Sequence, residues 1–250
     1  MFKAYRLLTQ FIGFSIFVIG SIIYGSIVYG VIILFTREPL KREQRLRSIV
    51  RSTFAFFIKL CGFLSCFKVK VKNLEALHQS KNVVIIANHP SLVDYVIIAS
   101  LMNLDVTVMV KETLTNGFMK MIIKHLGYFH NKTPIEDMEK ILKQNNGVLI
   151  FPEGTRTKDY SNIHFVRGAA NIALRKELDI LPIFINSTQR SYLASSFFNF
   201  NIPKDVPIFN IEVGEAIKVK EYAENYSTLA IAARHLTKDL EKLYQDYLNK

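Results

Sequence analysis

The sequence predicts an α/β fold, a mixed sheet flanked by helices, preceded by an N-terminal membrane-inserted helix or helical hairpin. Three observations carry that prediction. A 30-residue run, Leu7–Thr36, holds no charged side chain. Beyond residue 67, short apolar runs rich in β-branched residues alternate with helix-like segments. The composition belongs to a folded chain: half of the 250 residues are hydrophobic and 21% are charged, which excludes disorder. Two cysteines exclude a disulfide scaffold. The 32 Lys and Arg against 21 Asp and Glu leave a net charge of +11. Positive charge on a chain of mean hydropathy +0.18 points to a membrane surface, with nucleic acid the other usual partner of basic chains.

Arg6 and Arg37 bracket the uncharged run. As one straight helix it would reach roughly 45 Å at ~1.5 Å per residue, against a hydrocarbon core of ~30 Å. It therefore reads as one tilted span, or as a re-entrant hairpin broken near Gly20, Ser21 or Gly25. It is too long for the ~7–15-residue core of a signal peptide, and no small-residue cleavage site follows. Lys3 and Arg6 precede it; Arg37, Lys41, Arg42, Arg45, Arg47 and Arg51 follow. If the run spans once, that bias puts the C-terminal side, and the domain beyond, on the cytoplasmic side. The same cluster could bind anionic headgroups or form a solvated helix face. A second apolar stretch, Phe54 to Phe67, is short for a span and reads as an interfacial or core helix. Cys61 and Cys66 inside it lack a second ligand pair, so buried thiols are expected rather than zinc. The expected division is a membrane anchor over 1–67 and a catalytic domain over 68–250.

In the second part, strands are expected at Val83–Ala87, Val106–Val110, Val148–Phe151, Ile180–Ile185 and Pro207–Val213. Thr133-Pro134-Ile135-Glu136 reads as a helix start, with Thr as N-cap, Pro at N1 and Glu completing a capping box. Asn145-Asn146-Gly147 reads as that helix's stop. Leu229, Ala233, Leu236, Leu240, Leu243 and Tyr247 recur in steps of three and four and make one apolar face of a C-terminal helix.

Two short constellations carry chemistry. Asn88-His89-Pro90-Ser91-Leu92-Val93-Asp94 follows the first strand. Pro90 keeps His89 out of helical geometry, so His89 sits in the turn. Asp94, five residues on, can fold back onto the imidazole. A carboxylate on one ring nitrogen fixes the tautomer and leaves the other nitrogen as a base. An alcohol deprotonated by that base can attack an acyl carbonyl with no protein nucleophile. The second constellation is Phe151-Pro152-Glu153-Gly154-Thr155-Arg156, directly after the strand ending near Ile150. Such loops at strand ends are where α/β sheets bind ligands. Arg156 suits phosphate, and Gly154 lets a backbone amide approach an anion.

Together and in this order, the two blocks resemble those of the glycerolipid acyltransferase family, of the 1-acylglycerol-3-phosphate acyltransferase type. That family is marked by Asn-His-x4-Asp and Phe-Pro-Glu-Gly-Thr-Arg, and both are complete here over roughly Val83–Ile185. Leu181-Pro182-Ile183 and Phe165-Val166-Arg167-Gly168-Ala169 resemble further family segments. Gly127 to Lys132 occupies a block that normally ends in Arg, so Lys132 departs from the pattern.

The resemblance implies that His89 is the general base and Asp94 its orienting partner. It implies that Glu153, Gly154, Thr155 and Arg156 hold the acceptor's phosphate, with Asn88, Ser91 and Lys132 among the substrate contacts. It implies a membrane-bound enzyme that moves a fatty acyl group from acyl-CoA or acyl-ACP to 1-acylglycerol-3-phosphate. No metal or cofactor is expected, since a thioester is already activated. The expected partners are the lipid bilayer, a lysophospholipid acceptor and the acyl-CoA or acyl carrier protein donor, with no nucleic acid. Because Lys is a point charge that cannot fork onto phosphate as Arg does, another lysolipid acceptor is the alternative. A non-enzymatic basic membrane or nucleic-acid binder is the rival class.

Overall fold

The structure is a computed structural model that describes residues 2–103, 105–115, 118–143, 147–157, 160, 163–190, 192–194 and 204–249. The uncharged run is helical almost throughout: α1 (Phe2–Ile23), a π-helical turn (Tyr24–Val28) and α2 (Tyr29–Phe35). Gly25 lies in the π turn, but the chain stays right-handed helical through Ile23, Val28 and Tyr29. It reverses only at Thr36, where the backbone becomes extended. The expected break near Gly20, Ser21 or Gly25 is thus corrected: α-helices tolerate a π turn, and the reversal waits for Pro39, which can start a helix but not continue one.

After that reversal α3 (Pro39–Phe63) runs back along α1 and α2. Phe14 meets Phe57, Phe17 meets Phe54, and the Tyr24 hydroxyl donates to Leu46 O at 2.8 Å. Phe54 to Phe63 of the second apolar stretch therefore form the C-terminal part of α3, and Phe67 follows it just before Lys68. Phe57 and Cys61 are in the core, whereas Phe56 and Phe63 face outward. Both cysteines are free and buried. Ala4–Ile23 is long and apolar enough to cross a membrane, with 28% of that window buried against the rest of the chain.

The basic cluster divides. Arg47 is not a solvated or headgroup residue: it is 1% exposed. Its Nε and Nη2 donate to the two Asp105 oxygens at 2.7 and 2.8 Å, and Nη1 donates to Leu126 O at 2.6 Å. A guanidinium fork matches a carboxylate, which is what lets the charge leave water. Arg51 also pairs with Asp105, at 3.7 Å.

The sheet has seven strands: β1 (Lys68–Lys72), β2 (Val83–Ala87), β3 (Thr107–Val110), β4 (Phe129–His130), β5 (Gly147–Ile150), β6 (Ile180–Ser187) and β7 (Ile208–Val213). Their order is β1-β7-β6-β2-β5-β3-β4. All pairings are parallel except β6–β7, so the sheet is mixed. The five expected strands are present within a residue or two. The edge strands β1 and β4 were not expected: β1 alternates Lys with Val, and β4 is two residues long. Gly147 opens β5 rather than capping a helix. Its φ is +153°, and a Cβ there would sit 2.3 Å from Val83 O, so β5 can approach β2 only through glycine. Asn145 and Asn146 lie outside the described residues.

Helices cover both faces. α3, α4 (Leu74–Gln79) and α5 (Asp94–Leu101) pack with Ile85, Leu149 and Ile183 on one face. α7 (Ile135–Lys143), α8 (Gly168–Lys176), α9 (Val219–Asn225) and α10 (Leu229–Leu248) pack with Ile86, Ile150 and Phe184 on the other. A short 3₁₀ turn (Glu112–Thr115) and α6 (Phe118–His125) connect β3 to β4.

The Thr133 hydroxyl accepts the His130 N–H at 3.0 Å, two residues before α7 begins at Ile135. The Glu136 side chain lies outside the described residues. On α10, Ala233, Leu236 and Leu240 are buried as expected, but Leu229 and Leu243 are exposed and Tyr244 takes the core position.

Candidate active site

The C-terminal ends of β2 and β5 are adjacent in the sheet, so the loops that follow them meet. β2 ends at Ala87. Asn88 continues the seam between β2 and β6 with its side chain: Nδ2 donates to Ile185 O at 2.8 Å and Oδ1 accepts Ile185 N–H at 2.7 Å. His89 and Pro90 then turn, and α5 begins at Asp94.

The turn brings His89 Nδ1 to 2.8 Å from Asp94 Oδ2. The same oxygen accepts Ser91 N–H at 2.7 Å, and Ser91 Oγ donates to Oδ1 at 2.5 Å. Asp94 is fully buried. Burial pushes its carboxyl above the ordinary range; the His89 hydrogen bond, the His89 charge and the two Ser91 bonds pull it back. Asp94 is also the first residue of α5, where the helix N-terminus favours a negative charge. Because Asp94 takes the Nδ1 proton, Nε2 is the imidazole's basic nitrogen. Among the described residues no protein group bonds Nε2. The ring rests on Phe151, with centroids 4.6 Å apart, and the His89 side chain is 25% exposed.

The second loop is tied to the main chain of His89 on both sides. Glu153 Oε1 accepts His89 N–H at 3.0 Å, and Thr157 N–H donates to His89 O at 3.0 Å. Glu153 is buried, and among the described residues its Oε2 has no hydrogen-bond partner. Burial raises its carboxyl; the nearby Thr157 hydroxyl, the His89 amide and the His89 charge lower it, while Asp94 adds to the rise. Gly154 adopts φ +66° with open space where a Cβ would stand, leaving its backbone approachable from that side. Arg156 is half-buried, and among the described residues its water-shielded Nη1 has no hydrogen-bond partner. A buried guanidinium nitrogen left unbonded is costly unless an anion completes it.

The residues named from sequence thus separate. His89, Asp94, Glu153, Gly154, Thr155 and Arg156 stand together on the two adjoining loops. Asn88 and Ser91 are buried, with their side-chain polar atoms bonded inside the protein. Lys132 follows the edge strand β4; its Nζ pairs with Glu112 at 2.6 Å and both groups are solvent-exposed. β4 is separated from β2 by β5 and β3, which sets Lys132 apart from the imidazole.

Two contributors went unassigned at the sequence level. Phe151 lies within the second block, so its tilted ring contact with His89 was within reach of the motif. Tyr244 was not: its hydroxyl stands at the β2–β6 seam, 2.9 Å from Ile86 O and 3.2 Å from Ile183 N. Only the packing of α10 reveals it.

Residues 68–186 match the family model described as Acyltransferase. The chain is 24% identical over 195 residues to a 1-acyl-sn-glycerol-3-phosphate acyltransferase of Borreliella burgdorferi, covering 74% of this chain and 77% of that one. It is 26% identical to the human 1-acyl-sn-glycerol-3-phosphate acyltransferase beta, over 59% of this chain and 55% of that one. A 1-acyl-sn-glycerol-3-phosphate acyltransferase of Cocos nucifera is 28% identical over 65% of this chain and 53% of that one. The matched region therefore spans only about half of the latter two relatives. Among solved structures, the 1-acyl-sn-glycerophosphate acyltransferase PlsC of Thermotoga maritima superposes with a TM-score of 0.66 at 18% identity, over 100% of this chain and 96% of that one. That likeness shows a shared fold.

Proposed function

We propose, from the match of residues 68–186 to the acyltransferase family model, that this enzyme esterifies the free hydroxyl of 1-acylglycerol-3-phosphate, drawing the acyl group from a thioester at a bilayer surface. The observation that carries the reading is the His89–Asp94 pair, with Nδ1 engaged at 2.8 Å and Nε2 left as the base.

The step balances with this chain's own residues. Nε2 of His89 takes the hydroxyl proton as the oxygen attacks the thioester carbonyl. The tetrahedral intermediate collapses, the carbon–sulfur bond breaks, and the imidazolium returns the proton to the leaving thiolate. The products are a new ester and a free thiol. Asp94 stabilises the transient imidazolium and holds the tautomer. Base catalysis of this kind contributes about 10²–10⁴-fold, and holding both reactants in register contributes more.

Arg156 and the open backbone at Gly154 are the groups suited to the acceptor's phosphate, with Thr155 beside them. Glu153 is committed to the His89 amide and acts on the loop rather than on the ligand. The relatives' names support a lysophosphatidate acceptor. The apolar face of α1 and α2, with Leu8, Phe11, Ile19, Leu34 and Phe35 exposed, supports attachment of residues 1–67 to a bilayer. The catalytic domain, 68–250, would then work on the cytoplasmic side, as the basic residues after the run suggest.

The test is thioester cleavage by the purified full chain in detergent, with long-chain acyl-CoA or acyl-ACP, with and without lysophosphatidate. Acceptor-dependent thiol release that disappears in folded His89→Ala is the expected result. Retained release in that variant overturns the reading.

A further inference from the structure

α3 ends in a turn that brings two thiols together. The last helical residue is Phe63. Ser65 then takes the left-handed conformation, at φ +56°. Ser65 N–H donates to Gly62 O at 3.2 Å and Cys66 N–H donates to Cys61 O at 2.9 Å, the two bonds of a Schellman stop. That motif usually sets an apolar contact between its outer positions, and here those positions are Cys61 and Cys66. Both are free and buried, and the Cys61 S–H bonds to the Cys66 sulfur. With the backbone bond in place, standard bond lengths keep the two Cα atoms within about 7 Å. A disulfide needs about 4.4–6.8 Å, so the pair can close with little movement of the backbone.

The surroundings select the oxidant. Phe14, Phe57 and Phe67 share the core with both thiols. α1 passes so near that a Cβ on Gly13 would stand 3.3 Å from Cys66 Sγ. A bulky, polar disulfide such as oxidised glutathione does not fit there. A hydroperoxide is small, and one carried on an oxidised lipid would arrive along α1. The Cys61 hydrogen bond favours a thiolate at Cys66; burial opposes it and the Arg6 charge assists it. Cys66 is therefore the attacking sulfur. It takes the outer peroxide oxygen, the O–O bond breaks, and an alcohol leaves. Cys61 then attacks the resulting sulfenic acid, the S–O bond breaks, and water leaves. Two thiols and one hydroperoxide give one disulfide, one alcohol and one water.

Cys66 touches both the N-terminal segment and the catalytic loop. Its S–H donates to Thr9 O on α1 at 3.4 Å, a bond that a disulfide cannot make. Its carbonyl accepts the Tyr192 O–H at 3.0 Å. The next residue's carbonyl, Leu193 O, accepts the N–H of Leu92 at 3.0 Å, and Leu92 lies between His89 and Asp94. Drawing the two sulfurs to about 2.05 Å therefore pulls on a chain of contacts that ends in that loop.

We propose that Cys61 and Cys66 are a hydroperoxide-sensitive dithiol whose closure to a disulfide slows acyl transfer until a dithiol reductant reopens it. In a reducing compartment such a bond is transient, as redox-sensing disulfides are.

The test treats the purified full chain in detergent, fully reduced and then freed of reductant, with hydrogen peroxide or cumene hydroperoxide. Chymotrypsin cuts after Phe63, so a closed pair leaves the flanking peptides joined until dithiothreitol parts them. Joined peptides are expected from monomeric wild type and from neither Cys61→Ser nor Cys66→Ser. With long-chain acyl-CoA and lysophosphatidate, oxidised wild type should work about fivefold more slowly, the worth of one hydrogen bond, and recover on reduction. Both serine variants should keep the reduced wild-type rate after the same treatment. Cys61→Ala and Cys66→Ala repeat the comparison if a buried serine harms folding. The absence of joined peptides overturns the proposal. So does a disulfide that leaves the rate unchanged, or a loss of rate that the variants share, which would put the damage elsewhere. The rate rests on the acyltransferase reading and the peptides do not: a reduced chain that transfers nothing overturns that reading, whereas missing joined peptides overturn the dithiol.

Discussion

Glu153 Oε1 accepts the backbone N–H of His89 at 3.0 Å. A carboxylate from the loop after β5 thus holds the main chain of the residue presented by the loop after β2. The two sequence blocks are one unit in space, and the imidazole's position depends on both.

The first prediction concerns Asp94. Asp94→Asn keeps the size but loses the charge that orients and supports the imidazole. Acyl transfer should fall by about 10²–10⁴-fold, with the fold intact by circular dichroism. His89→Ala should fall at least as far, and the double variant no further than His89→Ala, since the two act together. Additive losses would mean that they act separately.

Glu153 gives a pH prediction. Burial raises its carboxyl, so between the unfolded and folded values the folded chain holds a proton that the unfolded chain has released. Stability attached to this group therefore falls as pH rises through that window. Glu153→Gln keeps an acceptor for the His89 amide and cannot ionise. The variant's stability relative to wild type should increase as pH rises above the ordinary carboxylate range, read from urea unfolding at each pH. Parallel curves would show that the carboxyl is not strained by burial.

Arg47 and Asp105 form the ion pair that fastens α3 to the chain entering β3. Asp105→Ala leaves a buried guanidinium without its main partner, and should cost about 3 kcal/mol. Arg47→Met with Asp105→Leu removes both charges and should recover most of that loss. Denaturant midpoints of the two variants check this, and equal midpoints would contradict it.

Tyr244 tests the seam beneath the site. Tyr244→Phe removes the hydroxyl that Ile86 O and Ile183 N–H share. It should destabilise the protein by about 1–3 kcal/mol, the cost of leaving buried backbone groups short of a partner. Ile86 lies three residues before His89, so kcat should drop with it while KM for the acceptor holds. An unchanged kcat would confine Tyr244 to stability.

The sequence alone disclosed much of this protein, for stated reasons. Both catalytic-type blocks are local in the chain, and Pro90 and Gly154 restrict the backbone wherever they stand. The spacing allows His89 and Asp94 to pair, and the two blocks together, through their family resemblance, single that pair out. Central strands such as Val83–Ala87 announce themselves because burial on two faces demands continuous apolar residues. Edge strands make no such demand, which is why Lys68–Lys72 and Phe129–His130 were silent. Tertiary structure decided what depends on distant partners. It placed the hairpin reversal at Thr36 and buried Arg47 against Asp105. It turned Asn88 into a clamp on Ile185 and seated Tyr244, not Leu243, in the core. It also set Lys132 on an edge strand. Periodicity reports which side of an element avoids water, but not which residue 60 or 150 positions away will meet it there. The sequence by itself determined the fold class and the chemistry of two loops; only packing between segments remote in the chain decided which side chains face substrate and which hold the scaffold still.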